Sequence, residues 1–237
     1  MESTNSGQIS GCLICGKPLV YSQSGRNRSC IVCGREFWSH EECEDGHFVC
    51  NDCHAGGGNR VLGFIKGTKE KSPAAIMEQV WQMPEVHLFG PEHHKILPCA
   101  LLAAYRNCGG EIAEDAMDTA WKRGEAVGGG ACGYWGVCGA AIGMGIFFSV
   151  LHATTPMSCE SWSLNQHFSS ICLERISRYG GPRCCKRTCR IAINTAADLV
   201  AETSDIHMPT DWKPCGYSAL NQECLRGGCP FYGGNRK

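Results

Sequence analysis

The sequence has no excess of either charge: 22 Lys and Arg stand against 23 Asp and Glu, a net charge of -1. That balance argues against wholesale binding to nucleic acid or to an anionic membrane surface, although a local basic patch can hide inside such a total. A secretory leader is also missing. The opening MESTNSGQISG is polar and has neither the basic nor the apolar segment of a leader, so the expectation is a cytoplasmic chain. In that reducing compartment, paired cysteines point to metal more than to disulfides. There is no Cys-x3-Cys-x2-Cys of radical-SAM enzymes and no GxGxxG loop following a strand. The longest gap is in charge itself: Ala126 to Cys159, 34 consecutive residues, carry no Asp, Glu, Lys or Arg. Glycine and cysteine interrupt this run, and it lacks flanking Trp, Tyr, Lys or Arg anchors, so it reads as buried core with no membrane association.

What the chain has in abundance is cysteine, 19 in 237 residues. Seven of them, with one histidine, fall in order between residues 12 and 54: Cys12-x2-Cys15-x14-Cys30-x2-Cys33-x6-His40-x2-Cys43-x6-Cys50-x2-Cys53. Two zinc ions need eight ligands, and this run supplies eight. A C-x2-C knuckle brings two sulfurs to one tetrahedral ion, and a segment this short has no apolar core to fold it otherwise. The expected role of the zinc is to staple the fold. Arg26, Asn27, Arg28 and Arg35 form a small basic loop, more readily a solvated hairpin than a phosphate contact.

The order of ligands resembles the cross-brace zinc fingers, PHD and related treble-clef modules, and CIVCGREFWSHEEC is similar to their aromatic-x-His-x2-Cys segment. The resemblance implies that Cys12, Cys15, His40 and Cys43 hold one zinc and Cys30, Cys33, Cys50 and Cys53 the other. A sequential pairing stays open: Cys12, Cys15, Cys30 and Cys33 as a ribbon, then Cys43, Cys50, Cys53 and one of His40, His47 or His54. The expected division is a flexible N-terminus at 1–11, the finger at 12–54, a linker at 55–72 and an all-α, cysteine-rich domain at 73–237, making the fold mainly α.

The linker is rich in glycine and lysine, with a short strand conceivable at Val61–Ile65. Ser72 and Pro73 signal a helix start for AAIMEQVWQM. A second helix, EHHKILPCALLAAYRN, holds Pro98, which cannot donate to the carbonyl of His94 and so leaves a kink or a free acceptor beside Glu92, His93 and His94. Those three residues are candidate acid/base or ligand groups, against the plainer expectation that one histidine packs and the other faces water. A third helix is expected from about Ile112 to Glu125. The glycine-rich part from Gly128 reads as a tight loop, and Cys138 onward as a buried helix whose Gly139, Gly143 and Gly145 admit another backbone or a cofactor. ESWSLNQHFSSICLERISRYG follows, with Leu164, Phe168, Ile171, Cys172, Ile176 and Tyr179 on one face and Cys172 in the core.

In GGPRCCKRTC, Pro182 fits the first helical position and places Cys184 and Cys185 in the first turn, where the helix dipole, Arg183, Lys186, Arg187 and Arg190 favour thiolate. Cys185 and Cys189 share a helix face. With Cys132, Cys138, Cys215, Cys224 and Cys229, these cysteines exceed any structural need and suit one [4Fe-4S] cluster, with Cys184 and Cys185 as alternative reactive thiolates. GPEHH, GGGACGYWGVCGAAIG, GGPRCCKR and NQECLRGGCPFY together resemble the prokaryotic domain of unknown function 5714. The resemblance implies company with radical-SAM and methyltransferase-like proteins, largely in anaerobes, and no settled activity. The expectation is an iron–sulfur enzyme using an open iron or activated thiolates for sulfur transfer, desulfuration or related thiol chemistry on a small molecule or RNA. The alternatives are a scaffold or electron-transfer partner that docks a separate enzyme through the finger, and zinc-only chemistry in the second domain.

Overall fold

The computed structural model describes residues 11–54 and 58–234. The expected flexible N-terminus lies outside them apart from Gly11, as do residues 55–57. The first module is an antiparallel hairpin, β1 (Leu19–Ser29) and β2 (Glu36–Cys43), followed by a one-turn helix, α1 (Asn51–His54). Leu19 pairs with Cys43 and Ser29 with Glu36, with a register shift between Tyr21 and Arg26. The basic loop is spent within this module. Arg26 and Arg28 pair with Glu42, and Arg35 pairs with Asp52.

The rest is helical: α2 (Gly58–Gly67), α3 (Pro73–Val80), α4 (Glu92–Asn107), α5 (Ala116–Glu125), α6 (Ala131–Tyr134), α7 (Gly139–Leu151), α8 (Glu160–Ser177), α9 (Cys185–Thr203) and a short 3-10 turn at Arg226–Gly228. Ser72 caps α3 by accepting the Ala75 N–H at 3.2 Å. The conceivable strand at Val61–Ile65 is helix instead. Val61 and Ile65, one turn apart, are both buried in the core, and that burial outweighs the glycine beside them. α2 packs on α4, so the segment read as linker belongs structurally with the helical part. α5 begins at Ala116, four residues later than expected. On α8, Phe168 and Cys172 are buried as expected, whereas Leu164 and, just beyond its end, Tyr179 are exposed.

α4 is the central helix, buried from Glu92 to Ala104 and packed against α2, α3, α5, α7 and α9. Pro98 deprives the His94 carbonyl of its helical donor. Two neighbouring helices close on that carbonyl by being glycine at the crossing. A Cβ on Gly124 would lie 2.6 Å from His94 O and 2.5 Å from Lys95 Cα, and one on Gly143 would lie 3.1 Å from the same oxygen. The small residues of α7 therefore admit the α4 backbone. Among the described residues, no helix is long and apolar enough to cross a membrane.

Candidate metal centres and the cleft between the modules

Two tight groups of ligand atoms sit at the ends of the hairpin. Cys12, Cys15, Cys43 and His47 form one, and Cys30, Cys33, Cys50 and Cys53 the other, with the ligand atoms of each group within 4.8 Å of one another. A tetrahedral zinc with thiolate bonds of about 2.3 Å holds its sulfurs about 3.8 Å apart. Here Cys15 and Cys43 sulfurs are 3.3 Å apart, Cys33 and Cys50 sulfurs 3.8 Å apart, and His47 Nδ1 lies 3.8 and 3.7 Å from Cys12 and Cys43. Each group can hold a metal ion such as zinc, and the pairing is cross-braced, not sequential.

The histidine differs from the expected one. His40 lies three residues before Cys43 on extended β2, and an odd spacing in a strand sends two side chains to opposite faces. Its Nδ1 instead meets the Ser22 carbonyl at 3.1 Å, and its ring stacks on Tyr134 at 4.4 Å. His47 returns to the site because Gly46, at φ 78°, turns the chain back. Without an ion the thiols of each group split, some lowered and others, Cys15 and Cys53 among them, raised. Burial opposes ionisation of Cys30, but the N–H groups of Cys50, Cys33 and Val32 outweigh it and lower the thiol to about 6. Burial likewise opposes ionisation of Cys43, and the Asp45 N–H leads the contacts that bring it to about 7.

The finger rests on the glycine-rich loop. Gly130 and Gly136, at φ 75° and 71°, bracket the single turn of α6. Tyr134 on that turn donates from its hydroxyl toward Ser22 O and His40 O, at 3.3 and 3.4 Å. Arg183 donates to the Tyr21 hydroxyl and lies over the Tyr21 and Phe89 rings. A cavity of about 120 Å³ remains between the modules, lined among others by Glu41, His54, His87, Cys132, Arg183 and Cys185. Burial raises the Glu41 carboxyl, with Arg183 opposing.

Glu92, His93 and His94 point three ways and are all buried, so neither histidine faces water. Glu92 reaches His54 and His87, with Oε2 3.2 Å from His54 Nδ1 and Oε1 3.3 Å from His87 Nδ1. Burial works against its ionisation, but the two histidines more than offset this and hold it well below the usual carboxylate range. His93 Nε2 meets Lys186 Nζ at 3.3 Å; burial, then Lys186, lowers its pKa to about 3. His94 Nδ1 lies 3.0 Å from Val127 O, and its ring fills the space a side chain on Gly139 would need. Spacing alone did not reveal His54 and His87 as partners of Glu92. His54 follows the last cysteine of the finger, and His87 lies five residues before Glu92 across a turn.

The remaining cysteines divide into two sets. Cys184, Cys215, Cys224 and Cys229 line a second, smaller cavity together with Lys186 and Arg190. Cys224 Sγ accepts the Arg226 N–H at 3.4 Å, the same i+2 contact that Ile14 N–H makes to Cys12 and Asp45 N–H to Cys43. Cys132 and Cys185 face the cleft instead, with Cys138 and Cys189 electrostatically linked to Cys185. The glycine-rich loop is thus a wall of the cleft and a seat for the finger, and does not line the cavity formed with the Cys224 and Cys229 tail. The expected thiolates of α9 are not favoured. Cys184 is the N-cap, Cys185 the first helical residue, and burial raises both thiols, Cys185 to about 12. Their cationic neighbours turn to other partners. Lys186 meets His87 O, Arg187 donates to Gly180 O and Pro182 O, and Arg190 pairs with Glu78. Among the described residues, no three sulfurs of the second cavity approach one another within 4.8 Å.

No curated protein and no solved structure matches the chain. The model of one family of unknown function, DUF5714, matches residues 61–232, from α2 through the Cys215–Tyr232 bridge, and the chain belongs to that family.

Proposed function

We propose that this protein is an iron–sulfur protein that serves thiol or sulfur chemistry, with a [4Fe-4S] cluster ligated by Cys184, Cys215, Cys224 and Cys229. One observation carries the reading: four cysteines from two segments distant in sequence line one cavity, beside the buried guanidinium of Arg190, two of whose nitrogens lack hydrogen-bond partners. Arg190 is 1% exposed. Its Nη2 reaches Glu78, while Nε and Nη1 lack hydrogen-bond partners among aromatic rings. Glu78 supplies one carboxylate, and the two N–H positions left without hydrogen-bond partners favour further negative charge, which a thiolate-ligated cluster carries. The sulfurs are not gathered as the finger's are, which speaks against a third thiolate zinc site of that kind.

Four thiolates fill every iron, so the cluster would supply electrons, with the chemistry lying elsewhere. Cys185, the next residue, faces the interdomain cleft beside Cys132 and Arg183. The supported division of labour is therefore a cluster that donates or accepts electrons and a thiol cleft that takes a small anionic substrate. The test is anaerobic purification followed by iron and sulfide analysis. About four of each per chain are expected, the content of one such cluster. Cys224→Ala and Cys184→Ala should lose them, while Cys138→Ala should keep them. Protein free of iron and sulfide, or a full complement in Cys224→Ala, would overturn the reading.

A further inference from the structure

We infer that His54, His87 and Glu92 form a third metal site, a mononuclear one, at the seam between the finger and the helical domain, suited to a divalent ion of the zinc or ferrous class. The three ligand atoms lie within 4.8 Å of one another, the criterion the two cysteine groups meet. The residues come from α1, the turn before α4, and the first position of α4, so the site exists only when the finger is docked.

The carboxylate is the telling group. Glu92 is 3% exposed, and its Oε2 lies 3.2 Å from His54 Nδ1, yet neither atom has a hydrogen-bond partner. In an ordinary hydrogen-bonded triad, a ring N–H would point at each oxygen. Here two buried polar atoms approach closely without that alignment, the arrangement of ligands converging on a common point. The other oxygen is held in place by both parts of His87: Oε1 accepts the backbone N–H at 3.0 Å and lies 3.3 Å from the ring Nδ1, so the missing alignment is confined to Oε2 and His54. The His54 and His87 rings meet edge to face, with centroids 4.5 Å apart, which leaves both Nδ1 atoms on the carboxylate side.

Imidazole and carboxylate donors without thiolate suit zinc or ferrous iron. Three protein ligands leave one position open, as in catalytic sites and unlike the two filled sites of the finger. His54 and His87 line the cleft that Arg183, Cys132 and Cys185 also line, so a ligand completing the site would enter from that cleft.

The inference is independent of the iron–sulfur proposal, and the measurement keeps them apart. Full-length protein is equilibrated with zinc alone in competition with a chromophoric chelator. Zinc per chain is counted separately from iron and sulfide. Wild type is expected to bind one zinc more than His87→Ala or Glu92→Gln, with iron and sulfide unchanged in both. His54→Ala, on the finger side of the seam and half-buried like His87, guards against a folding defect in the helical domain and should show the same single loss. His207→Ala, at an exposed histidine remote from the seam, should retain the wild-type zinc count. Equal zinc in wild type, His87→Ala and His54→Ala would overturn the site.

Discussion

Replacing His47 with alanine removes one of four ligands from the Cys12, Cys15, Cys43 group, whereas replacing His40 removes none. Structural zinc in small fingers contributes about 10–16 kcal/mol of binding free energy. One ligand in four therefore corresponds to about 3 kcal/mol, or roughly 10²-fold in affinity. His47→Ala should release zinc from that site at a chelator concentration roughly 10²-fold lower than wild type needs, while the four-cysteine group stays loaded. His40→Ala acts elsewhere. It loses the Nδ1 contact to Ser22 O and the stack on Tyr134. The hydrogen bond is worth about 1 kcal/mol and the stack a similar amount. The expected result is unchanged zinc affinity at the two finger sites, with the seam weakened by about 2 kcal/mol and faster proteolysis of the finger. Chelator competition read by zinc release, run beside limited proteolysis, separates the two outcomes. If His40→Ala loses zinc while His47→Ala keeps it, the reasoning from strand alternation is wrong.

Gly124→Ala forces a methyl group against His94 O and Lys95 Cα, backbone that has no room to move. Overpacking of this kind costs about 1–3 kcal/mol, so thermal unfolding should show Tm lowered by about 4–8 °C. Gly133→Ala, with nothing near its Cβ position, is the control and should stay within about 0.5 kcal/mol of wild type. Arg190→Met removes the buried cation beside the four-cysteine cavity. Anaerobic redox titration should then show a more negative reduction potential, because adding an electron there loses its compensating charge. An unchanged potential in a fully loaded variant would remove Arg190 from the argument.

Local chemistry was legible in the sequence and through-space chemistry was not. The C-x2-C knuckles, the Ser72 cap, the buried α7 and Cys172 all follow from neighbours within a few residues. The choice of His47 over His40 depends on where β2 ends and on the turn at Gly46, so ligand spacing alone favoured the wrong histidine. The thiolate character expected for Cys184 and Cys185 rested on charge adjacent in sequence. Folding turns Lys186, Arg187 and Arg190 toward carbonyls, aromatic rings and Glu78, and burial then dominates, so that both thiols are raised. His87 stood outside every periodic pattern, and His54 entered only as a spare finger ligand. Their partnership with Glu92 depends on how two separately patterned modules dock.

The finger and the cysteine-rich domain are linked more closely than a staple and its cargo would be. The finger contributes Tyr21, Glu41 and His54 to the cleft, and the family domain contributes His87, Cys132, Arg183 and Cys185. Cys184, the extended N-cap of α9 at φ -145° and ψ 101°, lies against the other cavity. Successive side chains diverge where the backbone is extended, so the Cys184–Cys185 pair sends one sulfur toward each cavity. That single peptide joins the four-cysteine cavity to the cleft. A finger that only stabilised the fold could be lost without changing the chemistry of the cleft. A finger that supplies His54 cannot, because its removal leaves Glu92 a buried carboxylate with one histidine partner fewer and opens the cleft to water.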